Sequence, residues 1–406
     1  MPLPVPPPPC AGDTLCEAAV KVLRTADPWK KAEYGDLAAH LWATGAIRHA
    51  YADRATRRNG SLSSGSEESR SAGSQGDADV GAAGSEEEQW LSVPDRPARD
   101  DTVRVVAARD MPRRGKGGSQ QSRVALLHSL VHIESWAVDL AWDIIARFGS
   151  AHSMPRAFFS DFVRVAEDEA RHFRLLAARL QAVGSRYGAL PAHDGLWESA
   201  AATAGDLKAR LVIEHCVHEA RGLDVVPQTI ERFRAGGDSE TAELLEQVVY
   251  PEEVTHCAAG QRWFSFLCLR DLRARQGEAG GGEGREEAAG GGVGAGGGLQ
   301  AEALVGEAAT GTGAVDGGGD GNGEGCGEKG KVRAEREGAA GSEGVGGAAE
   351  QGMEGEEASA EEHAAIVAEF HGIVRQHFRG KLKPPFNHEA RAKAGLTRDW
   401  YEPLAE

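Results

Sequence analysis

A chain of 406 residues with 62 acidic and 45 basic side chains carries a formal net charge of −17, and 54 of its residues are glycine. Length alone would allow two or three domains, but the glycine content and 26% charged residues imply that part of the chain builds no core. Six cysteines without a Cys-x-x-Cys pair argue against a zinc knuckle or a disulfide framework.

The opening MPLPVPPPPCAGDTLCEAA lacks the apolar stretch of a secretory signal, and Asp13 and Glu17 fit poorly with an acid-poor transit peptide. No run approaches the length of a membrane span. The expectation is a soluble intracellular protein, with no membrane partner and with an organelle address left open. Residues 1–56 read as an N-terminal helical segment, two short helices broken at Asp27-Pro28, which packs on the larger folded unit further along the chain. Residues 57–88 are rich in Ser, Gly and Glu and read as a low-complexity insertion. Within 104–123, Arg104, Arg109, Arg113, Arg114, Lys116 and Arg123 form a basic run. Without interleaved aromatic residues it reads as a solvated entry loop in preference to a phosphate-binding surface.

Residues 89–276 hold the main folded unit. From 122 onward the pattern changes to apolar stripes at helical spacing. The first helix runs to Gly149 and the second from Pro155 to Gly184. A long connection from 185 to about 205 comes next, well beyond the roughly 2–8 residues usual between packed helices. The third helix begins near Asp206 and is closed by Pro227. The fourth runs from about Ser239 to Gln276, with a kink expected at Pro251. Short links inside each pair and one long link between pairs predict an all-α, ferritin-like four-helix bundle with a long crossover.

Residues 277–360 contain 17 acidic and 5 basic residues and no aromatic residue, so 12 of the 17 net negative charges lie there. Such a segment cannot bury enough apolar surface to offset chain entropy and reads as a disordered linker. Residues 361–406 give a further helix and a tail with Pro384-Pro385-Phe386-Asn387 and Trp400-Tyr401, expected to dock on the bundle.

The second and fourth helices each carry a Glu-x-x-His, Glu169/His172 and Glu253/His256. A two-metal carboxylate centre built on a bundle also takes one Glu from each of the other helices. The first helix offers Glu134 alone, between apolar neighbours where an unpaired carboxylate would be costly. The third offers Glu214 and Glu219. Glu134 precedes Glu169 by 35 residues, Glu219 precedes Glu253 by 34 and Glu214 precedes it by 39, so equal depth selects Glu219. Glu214, near Arg210, Arg221 and His218, reads as a polar-face residue, and Glu167 as surface. His128, His132, His215 and His218 read as core or ligand-orienting hydrogen-bonding groups, and Cys257 as a small buried hydrophobe. Any one Glu-x-x-His is common by chance; the force lies in two copies with two Glu at matching offsets. Four carboxylates and two imidazoles without thiolate suit two iron ions, with manganese the alternative, better than structural zinc.

The stretches LLHSLVHIESWAVDLAWD, EDEARHF, HEARGLDVVP, the Glu253/His256 segment with Gly260 and Trp263-Phe264, and PPFNHEARAKAGL resemble the ferritin-like proteins classed as domain of unknown function 455. The resemblance spans 14–53, about 90–275 and 362–404. It implies a ferritin-like bundle with a carboxylate-bridged dimetal site at Glu134, Glu169, His172, Glu219, Glu253 and His256. In place of that family's Asp-Glu, this chain has Glu252-Glu253, a change beside the ligand set. The resemblance supplies no substrate.

The function expected is a di-iron (or manganese) oxidoreductase that activates dioxygen to oxidise an organic substrate, a small molecule or a modified RNA. Iron oxidation without an organic substrate ranks second, because the long insertions fit poorly in a closed storage shell.

Overall fold

The computed structural model describes residues 5–52, 92–112, 115, 118–280 and 358–405, and their regular structure is helical. The expected insertion at 57–88, most of the expected linker at 277–360, and Arg113, Arg114 and Lys116 lie outside the described residues.

Helix α1 (Leu15–Leu23) starts at a capping box in which Thr14 and Glu17 each satisfy the other's backbone N–H. Asp27 caps α2 (Pro28–Ala43), whose Pro28 takes the first-turn position where no N–H is needed. Helix α3 (Gln120–Phe148) and α4 (Arg156–Ala182) form a helical hairpin, with α1 laid on α3 and α2 on α4. Gly149 makes the turn: a Cβ there would lie 2.3 Å from the Phe159 ring.

The long connection contains a helix that the sequence pattern did not disclose, α5 (Gly195–Ala202), whose Trp197 stacks on Trp136 of α3 at 5.6 Å. The next rod, α6, is α-helical over Leu207–Val212, π-helical over Ile213–His218 and α-helical again over Glu219–Ala235. Pro227 therefore does not close it. Proline removes one intrahelical bond, but Ile230 and Phe233 beyond it are buried, and that packing keeps the last turns helical.

Helix α7 runs over Ser239–Leu244, a π-helical stretch Leu245–Val249, and Tyr250–Gly280, four residues into the expected linker. The wide turn lies directly before Pro251, where an α-helical turn would bring the proline ring against the carbonyl of Gln247. At the proline where the sequence pattern predicts a kink, the helix carries this widened turn.

Helix α8 (Ala360–His377) lies on α6 and α7. The tail continues with α9 (His388–Lys393) and α10 (Arg398–Tyr401). It is docked as expected: Arg391 makes a two-point ion pair with buried Asp224 of α6 at 2.6 and 2.9 Å, and Trp400 and Tyr401 are buried.

Helix α3 alone among the described residues is long and apolar enough to cross a membrane, a property its sequence pattern did not announce, and most of that stretch is buried inside the protein. It also carries two fully buried aspartates. Asp139 holds Lys31 at 2.6 Å and Arg99, and Asp143 holds Arg147 at 2.7 Å and Arg210. These pairs tie α3 to α2, to the 92–112 segment and to α6.

The closest backbone approach concerns Gly260 of α7, where a Cβ would stand 2.1 Å from the carbonyl oxygen of His215 on the π-helical stretch of α6. Backbone cannot rotate away as a side chain can. Gly260→Ala should therefore push α6 from α7 and lower stability by at least the ~1–3 kcal/mol typical of overpacking, read as a shift in the urea midpoint; an unchanged midpoint would contradict the contact.

Candidate metal centre

Each Glu-x-x-His places its two side chains one turn apart on the inward face of its helix. Glu169 and His172 of α4 are fully buried, and Glu253 and His256 of α7 nearly so. Glu134 comes in from α3 and Glu219 from α6. The six expected residues converge. Glu134, Glu169, His172 and Glu253 form one group, and Glu169, Glu219, Glu253 and His256 another, with donor atoms within each group no more than 4.8 Å apart. Glu169 and Glu253 belong to both groups, so the pair of groups is continuous.

Both imidazoles aim Nδ1 inward. Nδ1 of His172 lies 3.5 Å from Glu169, 3.6 Å from Glu134 and 3.6 Å from Glu253, and has no hydrogen-bond partner. Nδ1 of His256 lies 3.0 Å from Glu169 and 3.6 Å from Glu253, again without hydrogen-bond alignment, and Oε2 of Glu169 is likewise unpartnered.

The outward nitrogens are engaged. Nε2 of His172 meets Glu252 at 2.7 Å, and Nε2 of His256 lies 3.4 Å from Asp168. Asp168 and Glu252 each stand immediately before the Glu of one motif, and each faces the histidine of the other. Arg171 bonds both, Asp168 at 2.7 Å and also Glu252. Sequence reasoning places Glu252 beside the ligands but misses Asp168 and Arg171. The available signal is the parallel Asp168-Glu169-x-x-His172 and Glu252-Glu253-x-x-His256.

Glu214 needs correction. It lies outside both groups, as expected, but it is fully buried, with neither carboxylate oxygen hydrogen-bonded. The unforeseen α5 covers its face, bringing Ser199 to His218 at 3.1 Å. Glu167 is exposed as expected. His128 accepts the backbone N–H groups of Gly188 and Leu190, and His132 meets the Tyr187 hydroxyl at 2.9 Å, so both fasten the 185–192 connection to α3. Cys257 is buried.

Protonation is set by this crowding. Burial, reinforced by Glu169, raises the Glu134 carboxyl well above its ordinary range, and burial with Glu253 and Glu169 does the same to Glu219. Burial would lower His172, but the surrounding carboxylates of Glu134, Glu169 and Glu252 outweigh it and push the imidazole up to about 12. His256 is raised in the same way against burial, chiefly by Glu169. For Glu169 the opposite balance holds: burial raises it, but His256 and His172 pull it well below the usual range.

An all-α protein in which paired helices carry four carboxylates and two imidazoles into a shared buried cluster is thus defined. The family described as "Protein of unknown function (DUF455)" matches residues 24–277 and 355–402, and the chain belongs to it. An uncharacterized protein of Haemophilus influenzae is 35% identical over 167 residues, 40% of this chain and 57% of that protein. The chain thus spans little more than half the length of that relative. No solved structure matches.

The raised groups predict a pH dependence for chelator-treated protein. Where the folded state keeps a proton that the unfolded state loses, stability falls as pH rises. Above pH 6.5 His172 and His256 stay protonated in the fold while unfolded imidazoles do not; the lowered His128, His132 and His215 no longer oppose this, being neutral in both states. Lys31, lowered to about 8, opposes it only from that pH upward. Unfolding free energy should therefore fall between pH 6.5 and 8, by up to about 1.4 kcal/mol per pH unit for each group involved. A flat or rising profile over that window would contradict the protonation pattern.

Proposed function

We propose that this cluster holds two metal ions, iron foremost and manganese as the alternative, within a ferritin-like four-helix bundle formed by α3, α4, α6 and α7, and that it activates dioxygen to oxidise a small organic substrate. The observation that carries the reading is the orientation of the two imidazoles. Each turns an unpartnered Nδ1 toward carboxylates and gives its Nε2 to a carboxylate outside the cluster. That is how a ligating histidine is oriented, with the outer partner fixing the ring and its tautomer.

The donor set fits the group. Glu134 and His172 would hold one ion and Glu219 and His256 the other, with Glu169 and Glu253 shared. In the absence of cations, carboxylates gathered so closely must take up protons, which explains the raised Glu134 and Glu219. Reduced metals bound there would supply the two electrons that dioxygen activation requires. The protein's own part is to keep the imidazoles oriented through Asp168, Glu252 and Arg171, and to exclude bulk water by burying α3, α4 and α7 around the site. Metal uptake must release the protons held by the imidazoles and carboxylates, so affinity should rise with pH.

Protein loaded anaerobically with ferrous iron should contain about two ions per chain by elemental analysis. Glu219→Ala should halve or abolish that content, and Glu214→Gln should leave it unchanged. Oxygen uptake by the reduced protein should be lost in both His172→Ala and His256→Ala. One ion per chain, zinc alone, or wild-type oxygen uptake in both histidine variants would overturn the reading.

A further inference from the structure

On α3, His132 and Trp136 stand two residues before and two after Glu134, so at about 100° per residue they share the face of the helix turned away from it. That face meets the start of α2, the 99–105 segment and the 187–194 connection around a narrow cleft of about 310 Å³, counting its open mouth. Pro28, Val105 and Tyr187 supply apolar wall, and Arg99, His132 and Asp194 the polar groups. Two exposed apolar side chains flank it: Val105, itself in the lining and 50% exposed, and Trp29, 44% exposed and stacked on Tyr187 at 5.8 Å.

The His132 ring is fully committed. Trp136 Nε1–H donates to its Nε2 at 3.2 Å, and its Nδ1 meets the Tyr187 hydroxyl at 2.9 Å. Burial, aided by Arg99, lowers the imidazole to about 4, so the ring is neutral and Nε2 is an acceptor. That nitrogen faces Oδ1 of Asp194 at 3.9 Å and cannot donate to it. Asp194 occupies the N-cap of α5, yet its side chain caps no backbone N–H; Oδ2 pairs with Arg96, and Oδ1 has no partner. Arg99 lies 3.7 Å over the Trp136 ring and gives its terminal nitrogens to Ser135 and Asp139, which leaves its Nε–H without a partner. The side chains of the cleft therefore hold one unused acceptor and one unused donor, both shielded from bulk water, each costing roughly 1–3 kcal/mol while unmade. Arg96 is 45% exposed, so its long side chain can yield to a group that seats against Asp194. The surrounding charges cancel, Lys31, Arg96 and Arg99 against Asp100, Asp139 and Asp194. A charged ligand would bring an uncompensated charge into this setting, and a neutral one would not.

We propose that this cleft binds a small neutral molecule with a carboxamide head, whose N–H meets Oδ1 of Asp194 and whose carbonyl meets Nε–H of Arg99, and with an apolar body that lies over Val105 and Trp29. An amide presents a donor and an acceptor in one plane, which is the pair these two side chains leave unmade. A few polar groups set among apolar walls orient a ligand, while the walls select its size and body. The site stands on the face of α3 opposite Glu134 and is independent of the dimetal reading.

Benzamide is the probe, titrated into the full-length protein and followed by saturation-transfer NMR, with benzoate and benzamidine as charged molecules of nearly the same shape. Benzamide should bind about tenfold more tightly than either. Asp194→Leu, which removes the acceptor, should weaken benzamide about tenfold. Val105→Glu changes only the exposed rim, so the fold is kept, and it should weaken benzamide about fivefold by removing apolar contact. Absence of benzamide binding to the wild type, benzoate or benzamidine binding as tightly as benzamide, or wild-type benzamide affinity in Val105→Glu or in Asp194→Leu would overturn the proposal. None of these readings depends on metal content, so their failure leaves the dimetal reading to its own test.

Discussion

Four glutamates and two histidines converge in the interior of this protein, and the rest of the structure is arranged around the cost of that convergence. Isolated carboxylates in a low-dielectric interior repel one another and lose their hydration. Here they stand within 4.8 Å of one another in two overlapping groups. Protons on the imidazoles and on two of the carboxylates relieve the repulsion without a cation. Such a cluster lowers the stability of the fold and persists only where the surrounding packing is strong enough to hold it.

That packing comes from large buried side chains and from ion pairs placed away from the cluster. Asp139 and Asp143 lie one and two turns beyond Glu134 on α3 and each engages two cations, anchoring the helix to α2, the 92–112 segment and α6. Arg391 and Asp224 fasten the tail across α6. Removing one partner of such a buried pair costs about 3–5 kcal/mol, so these contacts fix helix positions more than they add net stability. Gly260 lets α6 and α7 touch backbone to backbone, bringing Glu219 to the layer of Glu253 and His256.

The two helical motifs are coupled by exchange. Asp168, next to Glu169, faces His256, and Glu252, next to Glu253, faces His172, with Arg171 bridging the two acids. Neither motif can orient its own histidine. The α4–α7 interface must form before either ring is fixed, so the cluster's geometry depends on correct pairing of the two hairpins.

What the sequence by itself determined was whatever depends on local periodicity: the helical class, the break at Asp27-Pro28, the four long helices and the inward faces carrying Glu134, Glu169, His172, Glu219, Glu253 and His256. Equal spacing along two hairpins sufficed to choose Glu219 over Glu214, because a helix rises by a fixed amount per residue. Tertiary structure decided what has no local signal. Helix α6 continues through Pro227 because Ile230 and Phe233 are buried by packing, which outweighs propensity. Glu214 is buried because α5, from a stretch without a clear apolar period, folds over it. The engagement of Asp168 with His256, of Glu252 with His172 and of Arg171 with Glu252 joins residues 80 or more positions apart. No spacing rule within one helix can encode such a contact, because it exists only once two separate helices have packed.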